Sequence, residues 1–160
     1  FKAVSGRKRK TGKGSMIIFR QASADELNEI ACLEAEVMPQ PWSFNSFEGT
    51  FDSDSGHIYV AYEDNDRAIA GFVVLYETIE DGEIPDVVVN PRYRRQGVGY
   101  GLMNHMISEN PQIKNYFLEV REHNQAAIGL YKKLGFEAVG VRKAFYANPV
   151  EDAWVMSLNL

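Results

Sequence analysis

The spacing of apolar residues changes several times along the chain, and each change marks a new element. "MIIFRQA" (16–22) reads as a strand. Ser23 then precedes "ADELNEIACLEAEVM" (24–38), apolar at Leu27, Ile30, Ala31 and Val37 with acids in its first turn, the pattern of a capped amphipathic helix. Pro39 and Pro41 stop it, and Ser43 opens a short helix through "FNSFEGTF". "HIYVAYE" and "AIAGFVVLYET" flank the polar turn "DNDR" as a hairpin, and "GEIPDVVVN" follows as a third antiparallel strand. The order then becomes strand, Gly-rich turn, helix ("GVGYGLMNHMISEN"), strand ("NYFLEV") and helix ("NQAAIGLYKKLG"), with Gly135 as terminator. Two last strands, "FEAVGVRKAF" and "DAWVMSL", pair around "YANPVE". These elements predict an α/β domain built on one mixed sheet of about seven strands with helices on its faces.

Two residues interrupt these patterns. In "NYFLEV" the strand period puts Phe117, Glu119 and Arg121 on one face and Tyr116, Leu118 and Val120 on the other, so a carboxylate sits at the centre of an apolar strand. Taken alone, Glu119 reads slightly better as the ion-pair partner of Arg121 or another cation than as a base. Tyr131 lies on the stripe Ala127, Leu130, Tyr131, Leu134, and periodicity alone makes it a core aromatic. A buried hydroxyl nevertheless needs a partner.

Composition narrows the function classes. At 160 residues and 45% hydrophobic the chain suits one domain. No apolar run approaches the roughly 18 residues of a membrane span, and no secretory signal pattern opens the chain, so a cytoplasmic protein is expected. Cys32 is the one cysteine, which rules out an internal disulfide and a cysteine zinc cluster; its place in an apolar helical stretch predicts a small core residue. His57, His105 and His123 lack metal spacing, so no metal is expected. Trp42 and Trp154 are expected to pack.

Charge is uneven. Residues 1–15 hold six of the 17 Lys and Arg and no acid, leaving 11 basic against 22 acidic residues, a net −11, from Met16 onward. The basic block could serve nucleic acid or a ribosome, but Gly14-Ser15-Met16 looks like a cloning junction before a native start. We therefore read 1–15 as a basic leader of expression origin and 16–160 as the working domain. The acidity of that domain argues against direct nucleic-acid binding and suits a basic peptide.

"VVVNPRYRRQGVGYG" ends a buried strand in a basic, Gly-rich turn that opens a helix, which outlines an anion site of backbone N–H groups and a helix dipole. A P-loop would need Lys-Ser/Thr after Gly101, where Leu102 and Met103 stand, and a dinucleotide fingerprint would need glycine at Leu102. On the glycines alone, a turn without ligand and a functional loop weigh about evenly; Arg92, Arg94 and Arg95 tip the balance to function.

Arg94-Arg95-Gln96-Gly97-Val98-Gly99 resembles the Arg/Gln-x-x-Gly-x-Gly/Ala signature of the GNAT superfamily of acetyltransferases. "LEVREHNQAAIGLYKKLGF", "RKAFY" and "EDAWVMSL", with "PWSFNSF" earlier, resemble the RimI-type ribosomal-protein alanine N-acetyltransferases, and the resemblance runs from Met16 to Leu160. It implies the GNAT fold with a mostly antiparallel sheet, and acetyl-CoA as co-substrate. It implies that Val87, Val88 and Val89 offer backbone groups to the pantetheine arm, that Arg94, Arg95, Gln96, Gly97, Val98, Gly99 and Tyr100 hold the pyrophosphate, and that Asn124 hydrogen-bonds the cofactor. The family's base falls on Glu119, its acid on Tyr131, and a substrate hydroxyl on Tyr146. This chain departs from the family by having Phe145 before Tyr146, and by having Asp86 where an uncharged residue is common; Asp86 is the reserve candidate for the base.

The implied acceptor is a protein N-terminus, that of an alanine-first ribosomal protein, with no membrane partner and a monomeric or small-complex state. An α-amine is about one-tenth neutral at pH 7, whereas a lysine is neutral to only about 0.04%, which agrees with an N-terminal acceptor. Two other readings remain at this level: transfer to lysine, polyamine or a small amine, and an acyl-CoA-binding sensor without turnover.

Overall fold

The computed structural model describes residues 8–10, as backbone, and 15–160. Among these described residues a single sheet of eight strands forms, in the order β1-β2-β3-β4-β5-β6-β8-β7. These are β1 (Lys8–Lys10), β2 (Met16–Gln21), β3 (Gly56–Glu63), β4 (Ile69–Glu77), β5 (Asp81–Val89), β6 (Asn115–Arg121), β7 (Glu137–Tyr146) and β8 (Glu151–Asn159). All seven strands read from the sequence form, and Lys8–Lys10 add a short edge strand antiparallel to β2. The rest of the basic block lies outside the described residues. Every pairing is antiparallel except that of β5 with β6.

The four helices α1 (Leu27–Val37), α2 (Phe44–Asp52), α3 (Val98–Glu109) and α4 (Gln125–Leu134) match the predicted segments within a few residues. Two of the starts are capped by a side chain. Ser43 accepts a hydrogen bond from the Ser46 N–H at the head of α2, and Asn124 accepts one from Ala127 at the head of α4. Gly135 ends α4 in the left-handed region at φ 102°.

The helices cover both sheet faces and create two cores. Leu27, Ile30, Leu33 and Phe47 from α1 and α2 meet Ile58, Val60, Phe72 and Val88 on one face. Val98, Leu102, Met103 and Met106 of α3, with Ile128 and Tyr131 of α4, meet Phe19, Tyr59, Val73 and Leu118 on the other. Cys32, expected in the core, is exposed. The buried stripe of α1 is Leu27, Ile30, Leu33 and Glu34, and Cys32 falls off that stripe.

One irregularity shapes everything downstream. Tyr76 pairs with Glu83 and Val74 pairs with Asp86, so Ile84 and Pro85 of β5 face the single residue Leu75 of β4. This is a β-bulge, and Pro85, which has no N–H to give a ladder, sits in it. The parallel pairing of β5 with β6 covers Asp81, Gly82 and Glu83 and goes no further. Beyond the bulge the two strands part.

Packing against α3 yields a test. A Cβ on Gly101 would stand 2.4 Å from Cζ of Phe19. Gly101→Ala, which in an open helix would gain about 1 kcal/mol, should instead lose about 1–3 kcal/mol through overpacking. Urea denaturation measures this; a gain would mean that the Phe19 ring swings aside freely.

Candidate active site

The parting of β5 and β6 opens a wedge in the sheet. The Asn90 N–H bonds the Ala70 carbonyl of β4 at 2.8 Å, so by strand alternation Val88 also turns its N–H and C=O toward β4. Val87 and Val89 therefore point their backbone groups into the wedge. Of the three predicted valines, two present those groups to the opening, while the third is buried in the α1–α2 core.

β5 leads into the basic turn. Asn90 Oδ1 accepts from the Arg92 N–H at 3.1 Å and starts a 3-10 turn over Pro91–Tyr93. Arg95 and Gly97 both take left-handed φ, 61° and 74°, and so turn the chain abruptly into α3. Gly97 is the N-cap and supplies no side-chain acceptor, so the first-turn N–H groups of Val98, Gly99 and Tyr100 have no helical carbonyl to bond. Gly99 also lets α4 approach, because a Cβ there would meet Leu130 Cδ2 at 2.9 Å. Arg94, Arg95 and Gln96 are exposed around this helix end, with Gln96 donating to the Arg92 carbonyl at 3.3 Å. Backbone donors, helix dipole and arginines suit a pyrophosphate, and the open β5 edge suits an amide-bearing arm. Asn124 is exposed; its Oδ1 is engaged as the α4 cap, which leaves its amide N–H groups to face outward.

Glu119 and Tyr131 approach the wedge from opposite faces. Glu119 is on the α1–α2 face of β6, its side chain 20% exposed, and its Oε1 lies 3.3 Å from Nε of Arg142. Its cation is therefore Arg142 of β7, reached across β8, and not Arg121. Tyr131, 7% exposed, comes from α4 on the other face. Burial pushes its hydroxyl well above the ordinary tyrosine range, with Tyr146 and Asp86 adding to the effect. Among the described residues no hydrogen bond reaches that hydroxyl.

Tyr146 is held in place by an arrangement that is not apparent from sequence. Residues 143–145 of β7 bulge opposite Asp152, whose carboxylate accepts the Ala144 N–H at 2.8 Å and the Lys143 ammonium at 3.0 Å. Arg121 stacks 4.4 Å above the Tyr146 ring and donates to the carbonyls of Ala147 and Pro149 and to Glu151. Burial, then the Glu119 charge, pushes the Tyr146 hydroxyl up to about 12.

Asp86 lies on the opposite flank of the wedge from β6, 5% exposed. Burial and the neighbouring Glu34 carboxyl push its pKa up to about 9, against a smaller opposing pull from the Val87 N–H. Glu34 was missed in the sequence. It follows Leu27 by seven positions and Ile30 by four, the same kind of polar intrusion into an apolar stripe that marked Tyr131.

The sequence of residues 25–136 matches the family described as Acetyltransferase (GNAT) family. The chain is 32% identical over 148 residues, 82% of its length and 97% of the relative's, to the [ribosomal protein bS18]-alanine N-acetyltransferase of Escherichia coli K12. The crystal structure of the ribosomal-protein-S18-alanine N-acetyltransferase from Escherichia coli superposes with a TM-score of 0.82 at 27% identity, covering 90% of this chain and 94% of that one. Arabidopsis thaliana NAA60, crystallised with acetyl-CoA, shares the fold with a TM-score of 0.79 at 19% identity, covering 90% and 98% of the two chains. This chain belongs to the GNAT family and has its fold. It is an acetyl-CoA-dependent N-acetyltransferase. Among the described residues no cluster of His, Cys, Asp or Glu is arranged to hold a metal, and no helix is long and apolar enough to cross a membrane.

The solitary hydroxyl of Tyr131 gives a stability test. Tyr131→Phe keeps the ring contact with Phe136, whose centroid is 5.9 Å away, and removes a buried polar group. Thermal and urea unfolding should shift by less than about 1 kcal/mol. A larger loss would reveal a hydrogen bond that holds the fold.

Proposed function

We propose that the enzyme acetylates the N-terminal α-amine of a protein, with an alanine-first ribosomal protein as acceptor, using Glu119 as base and Tyr131 as acid. The observation that carries this reading is the approach of Glu119 and Tyr131 from opposite sheet faces to the one place where β5 and β6 separate. The relatives named above for the alanine of ribosomal protein bS18 support the acceptor. A ribosomal acceptor puts the reaction in the cytoplasm.

The residues divide the chemistry between them. The amine nitrogen attacks the thioester carbonyl carbon and forms the C–N bond, and Glu119 takes the proton it sheds, directly or through one water. An N–H of Val87 or Val89 meets the charge that develops on the carbonyl oxygen. The C–S bond breaks, and Tyr131 gives its proton to the departing sulfur. A hydroxyl held far above neutral pH keeps that proton until the sulfur carries charge. Val87 and Val89 align the pantetheine arm, with Val88 as the buried anchor between them. Arg94, Arg95, Gln96 and the turn from Gly97 through Val98 and Gly99 to Tyr100 hold the pyrophosphate, and Asn124 adds an amide donor. Tyr146 orients the acceptor. Asp86 is not the base in this scheme, because a carboxyl with a pKa of about 9 keeps its proton at neutral pH. The working unit is residues 16–160, acting as a monomer or in a small complex and gripping protein rather than nucleic acid.

The test is CoA release on peptides that begin with Ala, Ser or Met, on peptides with blocked N-termini, and on each with and without lysine, with the acetyl group located by mass spectrometry. Acetyl on the α-amine of the Ala-first peptide is the expected result; acetyl confined to lysine or small amines would discard the acceptor. Glu119→Gln should lower kcat by about 10²–10⁴-fold while acetyl-CoA affinity holds. Tyr131→Phe should lower kcat by about tenfold or more without the stability loss excluded above. Full turnover in Glu119→Gln would remove Glu119 from the reaction.

A further inference from the structure

Two buried carboxyl groups on different elements meet beside the wedge. Glu34 on α1 is 1% exposed and Asp86 on β5 is 5% exposed. Neither Glu34 Oε2 nor Asp86 Oδ2 receives a hydrogen bond from any N–H or O–H among the described residues. Two adjacent buried carboxylates cannot both ionise, and a proton held between them satisfies both oxygens at once. The other oxygen, Glu34 Oε1, accepts the backbone N–H of Trp42 at 3.2 Å. Trp42 stands in the connection between α1 and α2, with its ring packed on Phe47 at 5.4 Å. Asp86, in turn, immediately precedes Val87, the first residue whose backbone faces the wedge.

We propose that Glu34 and Asp86 share one proton and form a clamp that ties residues 38–43 to β5, so that this pair positions the acceptor amine against the thioester. The pair touches neither the amine nor the sulfur; both members are positioning residues. The clamp rests on the acetyl-transfer reading for its purpose and on the two buried carboxyls for its existence. The groups that face Asp86 are Glu34 from α1 and, through the wedge, the hydroxyl of Tyr131 from α4, while β4 opposes it with apolar Val74. With the pair protonated at neutral pH the clamp is closed. As pH rises through about 9 the shared proton leaves, the bond across the pair is lost, and the segment loosens.

The sign for stability follows. Asp86 has its folded pKa raised above its unfolded one, so its stabilising contribution is complete below about pH 4 and is lost as pH climbs through about 9.

Steady-state kinetics from pH 7 to 10 with an Ala-first peptide test the clamp. In the wild type, KM for the peptide should rise about fivefold or more with a midpoint near 9, with kcat changing less than about twofold and KM for acetyl-CoA flat. Asp86→Asn and Glu34→Gln each put an amide donor where the shared proton stood, so in both the rise near pH 9 should be absent, leaving only the fall in peptide KM that deprotonation of the peptide's own α-amine brings. A wild-type rise that persists in both variants overturns the clamp. So does a hundredfold loss of kcat at unchanged KM in either, which would place the pair in the proton transfers themselves.

Should the variants fail to fold, or should no α-amine peptide be turned over, Trp42 supplies a readout that needs neither. In Trp154→Phe, Trp42 is the remaining tryptophan. Its emission should shift to the red with a midpoint near 9. Emission that stays constant up to pH 10 overturns the clamp. A red shift without turnover supports the clamp and sinks the α-amine reading.

Discussion

Two residues of β5 stand opposite one of β4, and the wedge between β5 and β6 opens next to that mismatch. A regular ladder would continue the parallel pairing of β5 with β6 past Glu83 and consume the backbone groups of Val87 and Val89. The bulge at Ile84 and Pro85 bends β5 away and exchanges which side chains face which helices. Asp86 and Val88 then meet α1, while Val87 and Val89 pack against the α3 and α4 core. The opening leaves an edge of backbone donors and acceptors without ladder partners on β6, where an extended amide-bearing ligand can add itself as a surrogate strand.

The same opening lets two layers that a closed sheet would separate cooperate. Glu119 belongs to the α1–α2 face and Tyr131 to the α3–α4 face, and a closed sheet would leave them on opposite sides of a backbone wall. Around the wedge the structure favours neutral, proton-retaining groups. Tyr131, Tyr146 and Asp86 all have raised pKa values, with burial the largest cause in each. Cations are kept at the margins: Arg142 pairs with Glu119, and Arg121 is spent on the turn behind Tyr146. Glu119 is thus the carboxylate beside the wedge with a cation for partner, and Arg94 and Arg95 stand exposed at the other end, around the α3 N-terminus.

Much of this was legible in the sequence because it depends on local chemistry. The element order, the Gly97 turn, the Ser43 start of α2, the Gly135 end of α4 and the faces of β6 follow from period and from the residue types that start and stop helices. Glu119 and Tyr131 stood out because each breaks an apolar pattern. The rest depends on contacts between distant segments. The Arg142 partner of Glu119 lies two strands away in the sheet, and nothing in either local sequence links them. Glu34 was hidden for a different reason: the stripe of α1 was traced through Ala31 and Val37, which shifted the apparent buried face and also put Cys32 inside. The bulge left one trace, a proline within an apolar strand, yet Pro85 alone does not reveal that β6 parts from β5 at that point.

Hydrogen exchange at the amides of β5, read by NMR with and without acetyl-CoA, tests whether the wedge takes the cofactor. If the wedge is the site, the Val87 and Val89 amides, which face the opening, gain protection on binding, while the Val88 amide, already paired with β4, changes little. Protection at Val88 alone, or binding that leaves all three unchanged, would contradict the account and move the cofactor out of the wedge.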